Sequence, residues 1–185
     1  MALKSDVLNK VADKIINNEF IKAKDTICKE YPFQKQEIYQ RSYTLKEKIN
    51  IFVRDGFIDR YSGERLVNPG FLKVLSVLYP EDFPYNLHWK MTETHNAFWE
   101  LSPTIDHIIP VSIGGTNCKE NWVTTSMLNN SIKSNWTLEQ LKWRIYPPGE
   151  INEWDGLTKK FIRIVETNEK LLNDGYIKKW YYVSI

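Results

Sequence analysis

The stretch from Asp106 to Lys133, DHIIPVSIGGTNCKENWVTTSMLNNSIK, limits what this chain can fold into more than any other part of it. Ile105, Ile108 and Ile109 form a short apolar run, interrupted by the polar pair Asp106-His107. Pro110 ends the strand reading, because proline donates nothing to a ladder. Ser112 to Asn117 is rich in turn formers around Gly114-Gly115. Trp122, Val123, Thr124 and Thr125 are β-formers and predict a second strand. Ser126 suits an N-cap, and Met127 to Ser134 predicts a short helix. The unit reads as strand, long loop, strand, helix.

Neighbouring residues on a strand point to opposite faces, so Asp106 and His107 address one ligand only where a twist or bulge ends the strand. Asp106 and Asn130 form a sparse, all-oxygen pair. Ligands of that kind suit magnesium, manganese or calcium. An imidazole beside them is a general base near neutral pH. A base next to a hard cation points to hydrolysis of a phosphate ester.

With these residues in this order, the stretch resembles the HNH, or ββα-metal, nuclease motif. That motif has Asp-His on its first strand, Asn at the start of the second, and His or Asn on the helix, often followed by Lys. Here they are Asp106 with His107, Asn121, Asn130 and Lys133. The resemblance implies an α+β fold, a ββα-metal (HNH) core surrounded by helices with a helical N-terminal region. It implies that His107 is the general base and that Asp106 and Asn130 hold one magnesium ion, for which manganese substitutes. Asn121 then braces the loop, helping it present the backbone carbonyl that orients the histidine. Lys133 either lies near the phosphate or is a solvated helix lysine. The implied activity is a DNA endonuclease leaving 5′-phosphate and 3′-hydroxyl ends, a type II restriction enzyme foremost. The alternatives are a nicking, mobile-element or phage nuclease, or a nucleic-acid-binding module with weak or vestigial cleavage. Double-stranded DNA is the implied partner. Cutting both strands takes two units, as in a homodimer, or two sequential visits, because one such unit cuts one strand per engagement.

Many HNH proteins carry a C-x-x-C zinc knuckle just upstream of the core. Here Tyr61-Ser62-Gly63 stands in that place, and no second pair follows Ser126. Structural zinc is therefore not expected, and aromatic packing is expected to replace it.

The rest of the chain reads as three regions: helical 1–56, the nuclease core with an aromatic-rich lead-in over 57–146, and a helix and tail over 147–185. Val7, Val11, Ile15 and Ile16 fall at helical spacing, and Phe20 to Cys28 predicts a second helix ending near Tyr31-Pro32. Residues 34–40 form either a loop or a third helix. This region either grips DNA or covers the core. Thr44-Leu45-Lys46-Glu47 is a capping box opening a helix that Gly56 terminates. Phe71 to Tyr79 predicts a helix, and Pro80 to Trp89 an ordered loop with its rings packed down. His95 reads as a structural histidine. Thr137 to Gln140 is another capping box. Asp155 is expected to cap a last helix with a stripe from Leu157 to Leu172, ended by Asn173-Asp174-Gly175. Tyr176 to Ile185 either pairs as a strand or docks as a tail.

Hydrophobic residues make up 42% and aromatics 14%, enough for a real core, which excludes a disordered chain. A net charge of +2 permits a local basic cleft without demanding one. Lys4, Asp6 and Lys10 break up the amino-terminal stretch, and no run approaches the roughly 18 apolar residues of a membrane span. Cys28 and Cys118 belong to no C-x-x-C pair, so the expectation is a cytoplasmic protein with free thiols and no membrane partner.

Overall fold

The computed structural model describes residues 3–33 and 43–185. The chain divides into two compact units, residues 1–38 and 39–185. The smaller unit is a helical hairpin of α1 (Lys4–Ile16) and α2 (Phe20–Glu30). The hairpin buries Val7 and Val11 of one helix and Ala23 and Thr26 of the other. Asn18 turns the chain at φ +59, a conformation that asparagine tolerates. Lys10 and Glu30 pair across the hairpin at 2.9 Å on its exposed side. The third helix considered for 34–40 lies outside the described residues.

The larger unit is helical apart from one small sheet. Helix α3 (Leu45–Arg54) starts at the Thr44 capping box: Thr44 Oγ1 accepts from Glu47 N at 3.2 Å, and Glu47 Oε2 accepts from Thr44 N at 2.8 Å. Gly56 follows at φ +61, as a helix end requires. The chain division falls well before Gly56, so α3 belongs to the larger unit rather than to the N-terminal region. The reason is its apolar face, which puts Ile49, Ile51 and Phe52 into the main core. Helix α4 (Pro69–Leu78) has proline in its first turn and Asn68 Oδ1 capping Gly70 N at 2.8 Å. Helix α5 (Ala97–Glu100) is one turn. Phe98 of α5 gathers the rings of Phe83, Tyr85 and Trp89 from the preceding loop.

Strands β1 (Pro103–His107) and β2 (Trp122–Ser126) pair antiparallel, with Pro103 opposite Ser126 and His107 opposite Trp122. Helix α6 (Met127–Lys133) starts directly after β2, capped by Ser126 Oγ, which accepts from Asn129 N at 3.1 Å. Helix α7 (Leu138–Leu141) opens at the Thr137 capping box. Helices α8 (Thr158–Thr167) and α9 (Gly175–Ser184) complete the unit.

Two C-terminal expectations are corrected. The long helix from Asp155 is two pieces: α8 is preceded by Leu157 at φ +63, and Asn168 ends it before a 3-10 turn over Glu169–Asn173. Tyr176 to Ile185 is neither strand nor tail but helix α9. Asp174, read as a terminator, is its N-cap and accepts from Tyr176 N at 2.8 Å and Ile177 N at 3.0 Å. Ile177 and Trp180, three apart, share one buried face and join Phe52, Phe57, Phe161 and Val165 in the main core. Ile105 and Trp122 attach the sheet to that same core. No helix among the described residues is long and apolar enough to cross a membrane.

Candidate active site

The strand pleat turns Asp106 and His107 to opposite faces of the sheet. Asp106 faces Tyr61 and α6. Its Oδ2 accepts a 2.6 Å hydrogen bond from Tyr61 Oη and meets Lys133 Nζ at 2.8 Å, while Oδ1 carries neither contact. Lys133 is fully buried, and its ammonium also donates to the His107 carbonyl at 2.7 Å. It is therefore neither a solvated helix lysine nor a side chain presented to a phosphate: it locks α6 onto the end of β1. A buried cation needs such a partner, because desolvation without one is costly. Burial foremost, and then the adjacent Asp106 carboxylate that accepts its hydrogen bond, raise the Tyr61 hydroxyl well above the ordinary tyrosine range. Tyr61 thus stays a donor.

His107 lies on the other face and is 2% exposed. Nε2 is 2.9 Å from Asn117 Oδ1 and 3.1 Å from Trp122 Nε1, and Nδ1 is 3.4 Å from Tyr43 Oη. The Tyr43 ring stands edge-on to Trp122 at 5.0 Å between centroids.

Asn121 closes the loop between the strands. Its Nδ2 donates to the carbonyls of Ile109 at 2.9 Å and Thr116 at 2.8 Å, and its Oδ1 accepts from Ile109 N at 2.9 Å. Gly115 passes so close to the Ile109 carbonyl that a Cβ there has no room. The group facing His107 Nε2 is the side chain of Asn117, not the backbone carbonyl that the family resemblance implied. Asn121 acts on it through Thr116, the residue before Asn117.

Asn130 is half-buried and lies one turn before Lys133 on the same side of α6. Asp106 and Asn130 offer oxygen ligands only, a set that fits magnesium or manganese. Among the described residues no three His, Cys, Asp or Glu side chains gather around one point. The structure thus brings Asp106 and Lys133 into contact, sets His107 on the far face, and gives Asn121 to the loop.

The joint where a zinc knuckle would sit is held by two buried carboxylates as well as by packed rings. Asp59 accepts from Tyr61 N, Thr125 Oγ1, Ser126 N and Asn129 Nδ2 at 2.8–3.0 Å. Asp55 accepts from Arg54, Arg60 and Thr124 N at 2.8–3.0 Å. Together they fasten the turn after α3 to β2 and the start of α6. Tyr61 packs against Trp143 with centroids 5.6 Å apart, and Phe57 against Phe52 at 6.0 Å.

Sequence reasoning did not find Tyr61, Asn117, Trp122, Tyr43 or Asp59 as site residues. Trp122 alone left a usable signal, since pairing the two predicted strands end to end sets it opposite His107. His95 stacks on Phe83 at 4.1 Å between centroids and accepts from Ala97 N, far from these groups in its role. In comparisons with protein-family models, curated proteins and solved structures, nothing matched this chain.

Proposed function

We propose that the chain is an HNH-type endonuclease with a ββα-metal core, hydrolysing double-stranded DNA to 5′-phosphate and 3′-hydroxyl ends, as a restriction enzyme of type II does. The observation that carries this reading is a histidine and a carboxylate adjacent in sequence at the end of β1, each held by dedicated partners, followed by β2 and by α6, where Asn130 lies three residues before Lys133.

In this reading Asp106 and Asn130 hold magnesium, which supplies charge stabilisation at the scissile phosphate and its leaving oxygen. His107 takes the proton of the attacking water on a ring nitrogen, and because it lies on the face opposite Asp106, this reading requires the end of β1 to twist when the phosphate binds. Asn121 keeps the loop over β1 and β2 in shape. Lys133 and Tyr61 fix one oxygen of Asp106 and leave the other to bind. A homodimer brings two such units to one duplex.

A second reading has its own support. Asp106 is already charge-paired with Lys133, and His107 is almost fully covered. Both features suit a nucleic-acid-binding module with weak or vestigial cleavage. Plasmid nicking with magnesium or manganese separates the two. The nuclease reading expects His107→Ala to cut the single-turnover rate by about a hundredfold to ten-thousandfold while DNA binding survives. Wild-type protein that binds DNA yet never nicks it, with either metal, leaves the module.

A further inference from the structure

We propose that Lys142 and Arg144, on the segment that follows α7, grip the phosphate backbone of duplex DNA beside Asp106. Duplex DNA as the partner rests on the nuclease reading above, while the surface stands on geometry and charge.

The chain beyond α6 doubles back towards the candidate site. Helix α7 ends in a Schellman motif. Lys142 takes φ +56 and donates its N–H to the Glu139 carbonyl at 3.1 Å, and Trp143 N donates to the Leu138 carbonyl at 2.8 Å. The turn brings the Trp143 ring against Tyr61, 5.6 Å between centroids, and the Tyr61 hydroxyl donates to Asp106 at 2.6 Å. Three residues further on, Tyr146 N donates to the Arg60 carbonyl at 2.8 Å, and its ring fills the space that a side chain at Gly63 would need. Residues 142–146 are thus fastened at Trp143 and at Tyr146 to the turn that carries Tyr61.

Arg144 lies between those two anchors and is exposed. Its Cζ stands 4.6 Å from the centroid of the Tyr146 ring, and its Nη2 donates to Tyr146 Oη at 3.1 Å. A ring against its face and a hydroxyl at its edge fix the guanidinium plane, and the hydroxyl engages one of its five N–H groups. Among the described residues, neither Arg144 nor the exposed Lys142 has a carboxylate partner. Arg54 and Arg60, by contrast, both pair with the buried Asp55 at 2.9 Å. The one acid between Lys133 and Tyr146 is Glu139, which sits in the first turn of α7, where a carboxylate complements the helix dipole. A fixed fork of N–H donors with an unneutralised charge suits a phosphate, and phosphate contacts set a duplex in place without reading its sequence.

The test is binding of a short labelled duplex by the full chain, followed by fluorescence anisotropy with a chelator present and at several salt concentrations. Each phosphate contact contributes about 0.9 to the slope of log affinity against log salt. Lys142→Ala combined with Arg144→Ala is expected to lower that slope by about 2, and alike on duplexes of unrelated sequence. Arg144→Lys keeps the charge and the slope but loses the stacked fork, and is expected to bind more weakly. Lys170→Ala with Lys178→Ala, an equal loss of charge near the end of the chain, is expected to leave the slope unmoved. Both pairs replace exposed side chains, and unchanged urea midpoints confirm that the variants fold. An unmoved slope in the Lys142 and Arg144 pair overturns the proposal, and so does an equal fall in the other pair. Wild-type protein that ignores duplex DNA overturns it too, and leaves an acidic protein surface as the partner of these cations. Cleavage with magnesium is scored apart. Protein that binds through these residues and never cuts fails the nuclease reading alone, and protein that cuts while the slope stays put fails this proposal alone.

Discussion

Lys133 and Asp106 form an ion pair with almost no access to water, joined by the Tyr61 hydroxyl, which donates to the same carboxylate oxygen. Removing one charge from such a pair leaves the other stranded in a dry site. Lys133→Met is therefore expected to cost about 3–5 kcal/mol of stability, read from the urea midpoint. The double variant with Asp106→Asn is expected to lose less than the sum of the two single variants. Strict additivity means that the two groups do not interact. The metal role makes a separate demand on the same carboxylate. Asp106→Ala and Asn130→Ala are each expected to abolish magnesium binding in calorimetry, while Asn130→Asp retains part of it by keeping an oxygen ligand. Unchanged magnesium affinity in either alanine variant removes that residue from the ligand set.

Among the elements, the turn after α3, strand β2 and helix α6 meet at Asp59. Its four hydrogen bonds make it the hub of the joint. Asp59→Ala orphans buried donors on three segments and is expected to cost about 3 kcal/mol or more. Asn129→Ala removes one arm and is expected to cost about 1 kcal/mol. Chemical denaturation of both variants measures the difference, and equal costs would mean that Asn129 carries the joint alone. Local signals made much of the secondary structure legible in the sequence. The boxes at Thr44 and Thr137, the Ser126 cap and the two strands all depend on neighbours within a few residues. Helix α9 was not legible, because its aromatic and β-branched residues favour strands, and burial against α3 and α4 decides the matter. Lys133 was recognised by position but not by environment: nothing near it in sequence announces Tyr61 or the end of β1. Asn117 was hidden for a similar reason, since an asparagine in a turn-rich loop usually needs no partner.

At the scale of the whole molecule, buried tyrosines contribute to behaviour at high pH, Tyr61 and Tyr176 among them. Burial pushes the Tyr176 hydroxyl from 10.0 up to about 12, and Tyr61 is raised as well. The unfolded chain releases these protons earlier than the folded one. Their contribution to stability is therefore complete below pH 10 and is lost as pH climbs towards 12. Urea midpoints followed through that window, alongside tyrosinate absorbance, check this; a flat profile refutes it. The smaller unit leaves Ile16, Phe20 and Ile21 exposed, and under the dimer proposal the helical hairpin is expected to carry the contact. Ile16→Glu with Ile21→Glu is expected to turn a sedimenting dimer into a monomer. Wild-type protein that sediments as a monomer with and without duplex DNA removes the dimer. The stacking of Trp180 on Phe52, 6.3 Å between centroids, has a kinetic consequence. It joins the first helix of the larger unit to its last, so most of the intervening chain has to be gathered before that core closes. Closing a contact of that sequence separation carries a large loop-closure entropy cost. The sheet bearing Asp106 and His107 is anchored in the same core through Ile105 and Trp122. A nascent chain therefore lacks part of the core behind Asp106 and His107 until α9 has been made and docks.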